Sequence, residues 1–297
     1  MQRRDFMKLT ALATGAININ SLSFAGTMAA KPLQMKSLKF DMVKEDLSLV
    51  EKFKLLKEIG FDGVEMHSPN DLDNREIVKA RQESGLEIPG VVNSVHWKSP
   101  LSDPDPAVRQ ECMDSMITAF NDCKEYGGTT ALLVPAVVND SISYADAWDR
   151  STAAIKELLP EAEKTGIKIA IENVWNNFLL SPLEAARYID QFNSDMIGWY
   201  FDVGNILRYG WPEQWIKILG DRIIKIDIKE YSREKQREEG IYKGFQVKLN
   251  EGDCNWAAVN KALTEVGYQG WGSAEVPGGD RKRLQEIYQR MEQLYSA

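Results

Sequence analysis

A single rhythm constrains this chain more than any other feature. From residue 31 to the end, short runs of β-branched and aromatic residues alternate with longer amphipathic stretches, eight times over and with no Pro/Gly/Ser linker. The apolar runs predict strands at Leu38–Val43, Gly63–Met66, Gly90–Val95, Thr130–Val134, Lys168–Ile171, Ile197–Val203, Ile223–Ile228 and Trp271–Val276. Helical periodicity predicts Asp46–Ile59, Asn74–Ser84, Ala107–Tyr126, Tyr144–Thr165, Pro182 to Phe192, Pro212–Leu219, Asn255–Val266 and Asp280–Leu294. Gly60, Gly85, Gly127, Gly166 and Gly220 stand where helices stop. Strands alternating with helices imply a parallel sheet, and eight units in one domain, 31–297, imply α/β architecture of the (β/α)8 TIM barrel kind. An open doubly wound sheet is disfavoured, because no G-x-G-x-x-G follows the first strand.

The strand ends carry the chemistry. Glu172 closes the run IKIAIE, Asp202 closes IGWYFD, Asp227 sits in IIKIDIKE, and Glu275 follows WGSA. An unpaired carboxylate on a buried strand is too costly to be packing material. In a parallel barrel all strand C-termini open on one rim, so these four residues converge. Their spacings of 30 and 25 residues match one strand–helix unit, and the third, 48, is stretched by a long loop, Glu230–Cys254. Four converging carboxylates repel one another unless a cation sits among them. Oxygen-only ligation points to a divalent metal ion, Mn²⁺ or Mg²⁺ first, with Ca²⁺, Co²⁺ and Zn²⁺ as further candidates. The competing reading is separate salt bridges, such as Asp202 with Arg208 or Asp227 with Lys229.

Two histidines exist, His67 and His96, and both fall at strand ends. His96 suits proton transfer or substrate hydrogen bonding. Lys229, two residues beyond Asp227, shares its strand face and could polarise a substrate oxygen. Asn205 and Asn177 offer amides to hydroxyl groups. Trp97 and Trp175 offer flat apolar faces of the kind sugar rings stack on. Tyr200 and Trp271 read as core. The long loop after strand seven reads as a lid at the active face.

Net charge is −8, which disfavours nucleic acid and anionic membrane as partners. Cys112, Cys123 and Cys254 make neither a disulfide framework nor a metal spacing. The N-terminus reads as an export signal, residues 1–30. Arg3-Arg4 with Phe6 and Lys8 precede a mild apolar stretch, Leu9 to Ile19, and small-residue cleavage candidates follow at Ser23-Phe24-Ala25 and Met28-Ala29-Ala30. It resembles a twin-arginine signal and implies a periplasmic or otherwise exported protein, free of the membrane once the signal is removed.

The segments GFDGVEMHSP, NSVHW, IAIENVWNNFLLSP, FDVGN, KIDIKEY and SAEVPGG together resemble the xylose-isomerase-like TIM barrels, a superfamily of sugar isomerases and epimerases. The resemblance covers essentially all of 31–297. It implies that Glu172, Asp202 and Glu275 are metal ligands, that the two glutamates double as acid and base, and that Arg233 contacts substrate. Two residues depart from the usual pattern: Asp227 stands where the family usually has a histidine ligand, and Asn205 where epimerases usually have a histidine. WNNFLLSP, DIKEY and EGDCNW look more like exported members acting on 3-keto glycosides. The expected activity is therefore a metal-dependent isomerase or epimerase of a non-phosphorylated keto sugar. A 3-keto-glycoside β-eliminating lyase or hydratase is the first alternative; a non-catalytic carbohydrate-binding barrel and a metallohydrolase are others. The expected partner is a small sugar, and a homo-oligomer is compatible with this reading.

Overall fold

The computed structural model describes residues 32–297. The expected export signal lies outside the described residues. In chain order the elements are β1 (Leu33–Leu38), α1 (Leu49–Ile59), β2 (Met66–Ser68), α2 (Asn74–Ser84), β3 (Gly90–Asn93), α3 (Pro106–Tyr126), β4 (Thr130–Leu133) and α4 (Tyr144–Thr165). The second half continues with β5 (Lys168–Glu172), α5 (Pro182–Asp190), β6 (Ile197–Asp202), α6 (Val203–Leu207), α7 (Pro212–Leu219), β7 (Ile223–Ile228), α8 (Arg233–Glu239), α9 (Trp256–Glu265), β8 (Gly270–Ala274) and α10 (Arg281–Leu294). The eight strands are parallel in the order β1-β8-β7-β6-β5-β4-β3-β2. A bridge between Lys39 and Glu65 joins β1 to β2, with the Glu65 N–H donating to the Leu38 carbonyl at 2.8 Å. This is the single-domain (β/α)8 TIM barrel that the rhythm implies. No helix among the described residues is long and apolar enough to cross a membrane.

Helix limits follow local chemistry. The helix expected from Asp46 begins at Leu49, because Ser48 caps it reciprocally with Glu51. Asp105 and Pro106 start α3, and Gly127 ends it in the left-handed region at φ 83°. Strand limits follow the neighbouring strand instead. The first strand is not Leu38–Val43 but Leu33–Leu38, registered against Gly270–Ala274 of β8. The apolar run beyond it forms a 3-10 turn, Phe40–Met42. The second strand runs later than expected, at Met66–Ser68, although Gly63 makes an isolated bridge to Glu87.

Most of the core lies between sheet and helices, around Phe53, Phe120, Trp199, Phe201 and Ile216. Inside the ring the apolar filling is small, Leu132, Ala170 and Tyr200. Charge fills much of the rest. Lys225, fully enclosed, ion-pairs with Oε1 of Glu65 and lies 3.2 Å from the Thr130 hydroxyl. Lys39 takes Oε2 of Glu65 at 2.6 Å. Such pairs add little net stability, yet removing one partner typically costs about 3–5 kcal/mol, because a charge is then left alone in the interior.

Gly90 opens room for this chain of charges. A Cβ there would come within 2.7 Å of Lys225 Nζ and of the Thr130 carbonyl. Gly90→Ala should therefore lower stability by about 1–3 kcal/mol, read as an earlier urea-unfolding midpoint with an unchanged slope.

Candidate functional site

The rim at the strand C-termini holds a cavity of about 640 Å³. Its floor is polar: Lys39, Glu172, Asp227, Lys229 and Glu275 line it. One ligand atom each from Glu172, Asp202, Asp227 and Glu275 lies within 4.8 Å of the others. Strand register makes this cluster. Asp202 pairs across the sheet with Asp227, Glu172 stands beside Tyr200, and the Glu275 N–H donates to the Ile228 carbonyl at 3.1 Å, just beyond β8. The separate pairs Asp202–Arg208 and Asp227–Lys229 do not form. Lys229 instead bridges Asp202 at 2.7 Å and Glu275 at 2.9 Å, while Lys39 takes Asp227 at 2.9 Å.

Asp202 serves two ends at once. It caps α6 by accepting the Asn205 N–H at 2.8 Å, and its other oxygen faces Lys229. Asn173 braces it, with Oδ1 accepting from the Asp202 N–H and from Trp199 Nε1. The Asn205 side chain lines the cavity, its amide nitrogen held by the Asn173 carbonyl at 3.0 Å.

The electrostatics separate the two glutamates. Burial, then repulsion from Glu275, Asp227 and Asp202, pushes the Glu172 carboxyl well above the usual range. Burial also pulls Glu275 upward, but Lys229 and Lys39 outweigh it and hold its carboxyl below the usual range. Burial raises Asp202 against the opposition of Lys229, and raises Asp227 strongly against that of Lys39. Lys229 stays charged, because Asp202, Glu275 and Glu172 overcome the burial that would neutralise it.

The donor set fits a divalent ion. All donors are oxygens. Oδ2 of Asp227 is buried and receives no hydrogen bond. With all of them ionised, the four cluster carboxylates and Glu65, set against Lys39, Lys225 and Lys229, leave an excess of two negative charges.

Above the floor the wall is aromatic. Trp97, 54% exposed, and Tyr242, 73% exposed, line the cavity with Trp175 and Phe245. Trp175 and Phe245 lie 4.8 Å apart, centroid to centroid, at 32°, and Arg208 stacks on Trp175 at 4.7 Å. The loop after β5 holds Trp175 with two bulky residues in the left-handed region, Asn177 at φ 58° and Leu179 at φ 55°. Asn176 ties that loop to the Ala136 carbonyl, and the Leu179 N–H donates to the Tyr144 hydroxyl at 2.8 Å. The long loop expected as a lid is folded against the barrel through α8 and a 3-10 turn, Ile241–Phe245. Buried Tyr231 is its pillar, packing on Trp175 and Phe245 and donating to the Ile241 carbonyl at 2.7 Å. Buried Glu230 anchors the far side, accepting from Asn250 and Cys254 N–H and from Trp256 Nε1.

The sequence-predicted residues divide. Glu172, Asp227, Lys229, Glu275, His67, Trp97, Trp175 and Asn205 line the cavity, with Asp202 behind them in the cluster. His96, Asn177 and Arg233 do not. Strand β3 ends at Asn93, not Val95, and Oδ1 of Asn93 accepts from both Val95 and His96 N–H, turning the imidazole inward. His96 Nδ1 accepts from the Val134 N–H at 3.3 Å. The Asn177 amide donates to the Val138 carbonyl, and Arg233 clasps the carbonyls of Leu207 and Gly210. Lys39, Glu65, Lys225 and the hydroxyl of Tyr200 join the site without lying at an expected strand end. The available signal was a charge inside an apolar strand, as in GVEM and IIKI.

A parallel barrel with carboxylates converging at its C-terminal rim has them at the face where the active sites of this fold lie. The family profile described as Xylose isomerase-like TIM barrel matches residues 53–296, and the chain belongs to that family. It is 25% identical to the L-ribulose-5-phosphate 3-epimerase UlaE of Escherichia coli O1:K1, over 74% of this chain and 79% of that one. It is 24% identical to UlaE of Salmonella heidelberg, over the same shares. In fold it matches an L-ribulose 3-epimerase at a TM-score of 0.74, with 16% identity and 89% and 95% of the two chains covered. The 3-keto-D-glucoside 4-epimerase YcjR of E. coli matches at 0.72, with 16% identity and 89% and 100% covered.

Burial, helped by His67, lowers the His96 imidazole from 6.5 to about 3. Its stabilising contribution is complete above pH 6.5 and is lost as pH falls toward 3. His96→Asn keeps the acceptor for Val134 and removes the titration. The fall of stability with pH between 6 and 4 should become shallower by about 1.4 kcal/mol per pH unit, measured by urea unfolding at each pH.

Proposed function

We propose that this chain is a divalent-metal-dependent sugar epimerase or isomerase acting on a non-phosphorylated keto sugar, by removing a proton next to a carbonyl. The observation that carries the reading is the opposed pair Glu172 and Glu275. They stand on strands three apart round the barrel, share one cavity, and are driven toward opposite protonation states. Two carboxyls pushed apart in this way mark an acid and a base.

Glu275, kept ionised by Lys229, accepts the proton from the carbon beside the carbonyl. Glu172 returns a proton to the opposite face. Glu172, Asp202, Asp227 and Glu275 would hold the metal ion, which when bound supplies positive charge for the oxygen on which negative charge develops. Asn205 and His67 hydrogen-bond hydroxyls, and Trp97 and Trp175 take the apolar sugar faces.

The L-ribulose-5-phosphate 3-epimerase activity of the UlaE relatives supports an epimerase. The lining argues for a substrate without phosphate. Among the described residues no arginine lines the cavity, and both lining lysines are ion-paired with carboxylates. Such a substrate also accords with the export we propose from Arg3-Arg4 and the apolar stretch behind them.

The test is incubation of the Mn²⁺-loaded protein with free ketoses and with 3-keto glucosides in D₂O. Deuterium at a stereocentre with no bond broken is expected; an unsaturated keto sugar with released aglycone would replace this reading with a lyase. Tight sugar binding without turnover or exchange would reduce the protein to a binding module. Glu172→Gln and Glu275→Gln should each cost at least about a hundredfold in exchange rate with the fold intact by circular dichroism.

Metal binding competes with protonation of the Asp227 carboxyl, which burial raises strongly. Mn²⁺ affinity, measured calorimetrically, should therefore rise with pH from 5 to 8 with net proton release.

A further inference from the structure

The carboxylate of Asp227 is gripped on one side only. Its Oδ1 receives Lys39 Nζ at 2.9 Å and lies 3.0 Å from the Tyr200 hydroxyl. Its Oδ2 has no partner, although it is buried, and the Asp227 ligand atom lies within 4.8 Å of those of Glu172, Asp202 and Glu275. A carboxylate has two equivalent oxygens. Something must choose between them, and here the choice is built into the interior of the barrel.

The grip is itself fixed. An ammonium has three protons. Lys39 donates to Glu65 Oε2 at 2.6 Å and to the Tyr200 oxygen at 3.1 Å, and its Nζ ion-pairs with Asp227 Oδ1 at 2.9 Å. The Tyr200 hydroxyl also lies 2.7 Å from Glu65 Oε2. Glu65 is held at its other oxygen by Lys225, which reaches the Thr130 hydroxyl. Every side chain in this chain of contacts is buried, so tilting the Asp227 carboxylate until neither oxygen meets Lys39 and Tyr200 would strand a donor.

We propose that Tyr200 and Lys39, anchored by Glu65 and Lys225, are positioning residues that turn Oδ2 of Asp227 toward the cation. This inference rests on the metal site of the proposed function. It adds that Asp227 binds through a single oxygen, the other being held by Lys39 in the cavity floor and by Tyr200, Glu65 and Lys225 behind it. Ligand-orienting hydrogen bonds of this kind typically matter about 10–100-fold in metal affinity.

Tyr200→Phe tests it without changing charge. Lys39 still contacts both Glu65 and Asp227, so neither carboxylate loses its last partner. Mn²⁺ affinity by titration calorimetry should fall about 10–100-fold, and the electron paramagnetic resonance spectrum of the bound Mn²⁺ should change. Equal affinity with an identical spectrum overturns the inference. Should Tyr200→Phe not fold, Asp227→Asn against Asp227→Ala decides. With the grip in place, Lys39 holds the amide oxygen and the NH₂ faces the ion, so Asn binds Mn²⁺ no better than Ala. Tenfold or more tighter binding by Asn means the side chain turns freely and ends the proposal. If the parent protein binds no Mn²⁺, the proposed function itself falls; if the parent binds and the variants behave as though ungripped, only this inference falls.

Discussion

Charge neutrality in a dry interior governs the mouth of this barrel. Five carboxylates and three ammoniums meet there, most of them screened from water. None is tolerable alone at that depth. The lysines therefore decide where the acids point: Lys225 fixes Glu65, Lys39 joins Glu65 to Asp227, and Lys229 joins Asp202 to Glu275. Glu172 is left without an ion pair of its own, and its carboxyl rises accordingly. The excess of negative charge is confined to one point at the top of the ring, which is where a cation is most strongly attracted.

The scaffold and the wall are built from different materials. Strand ends supply the acids, and strands hold them at fixed spacing. Loops supply the rings: Trp97 follows β3, Trp175 follows β5, and Tyr242 and Phe245 come from the long segment after β7. These loops are not slack. Strained backbone at Asn177 and Leu179 is offset by hydrogen bonds to Ala136, Val138 and Tyr144. Tyr231 and Glu230 do for the long segment what Asn173 does for Asp202: each turns a polar group inward to hold a chain that would otherwise wander.

Much of this was legible beforehand, and the reasons are local. Boundary signals such as Asp73 and Gly85, Ser143 and Gly166, and Pro212 and Gly220 are written in adjacent residues, so helices α2, α4 and α7 fall where periodicity puts them. The spacing of Glu172, Asp202 and Asp227 was legible because one strand–helix unit separates successive rim positions. Strand limits were less legible, because a parallel strand ends where its neighbour stops pairing. That is why β1 moved to Leu33–Leu38, and why His96, one turn beyond a shorter β3, faces inward.

What the sequence by itself determined is the fold and the ring of four acids, since both depend on periodicity and on the high cost of burying an unpaired charge. What only the tertiary structure decided is the partner of each charge. Lys39 and Glu65, distant in sequence from Tyr200, Lys225 and Asp227, meet them only when the barrel closes. Ion pairing depends on distances of a few ångströms in space, and a linear sequence carries no record of those distances until the sheet has joined its first strand to its last.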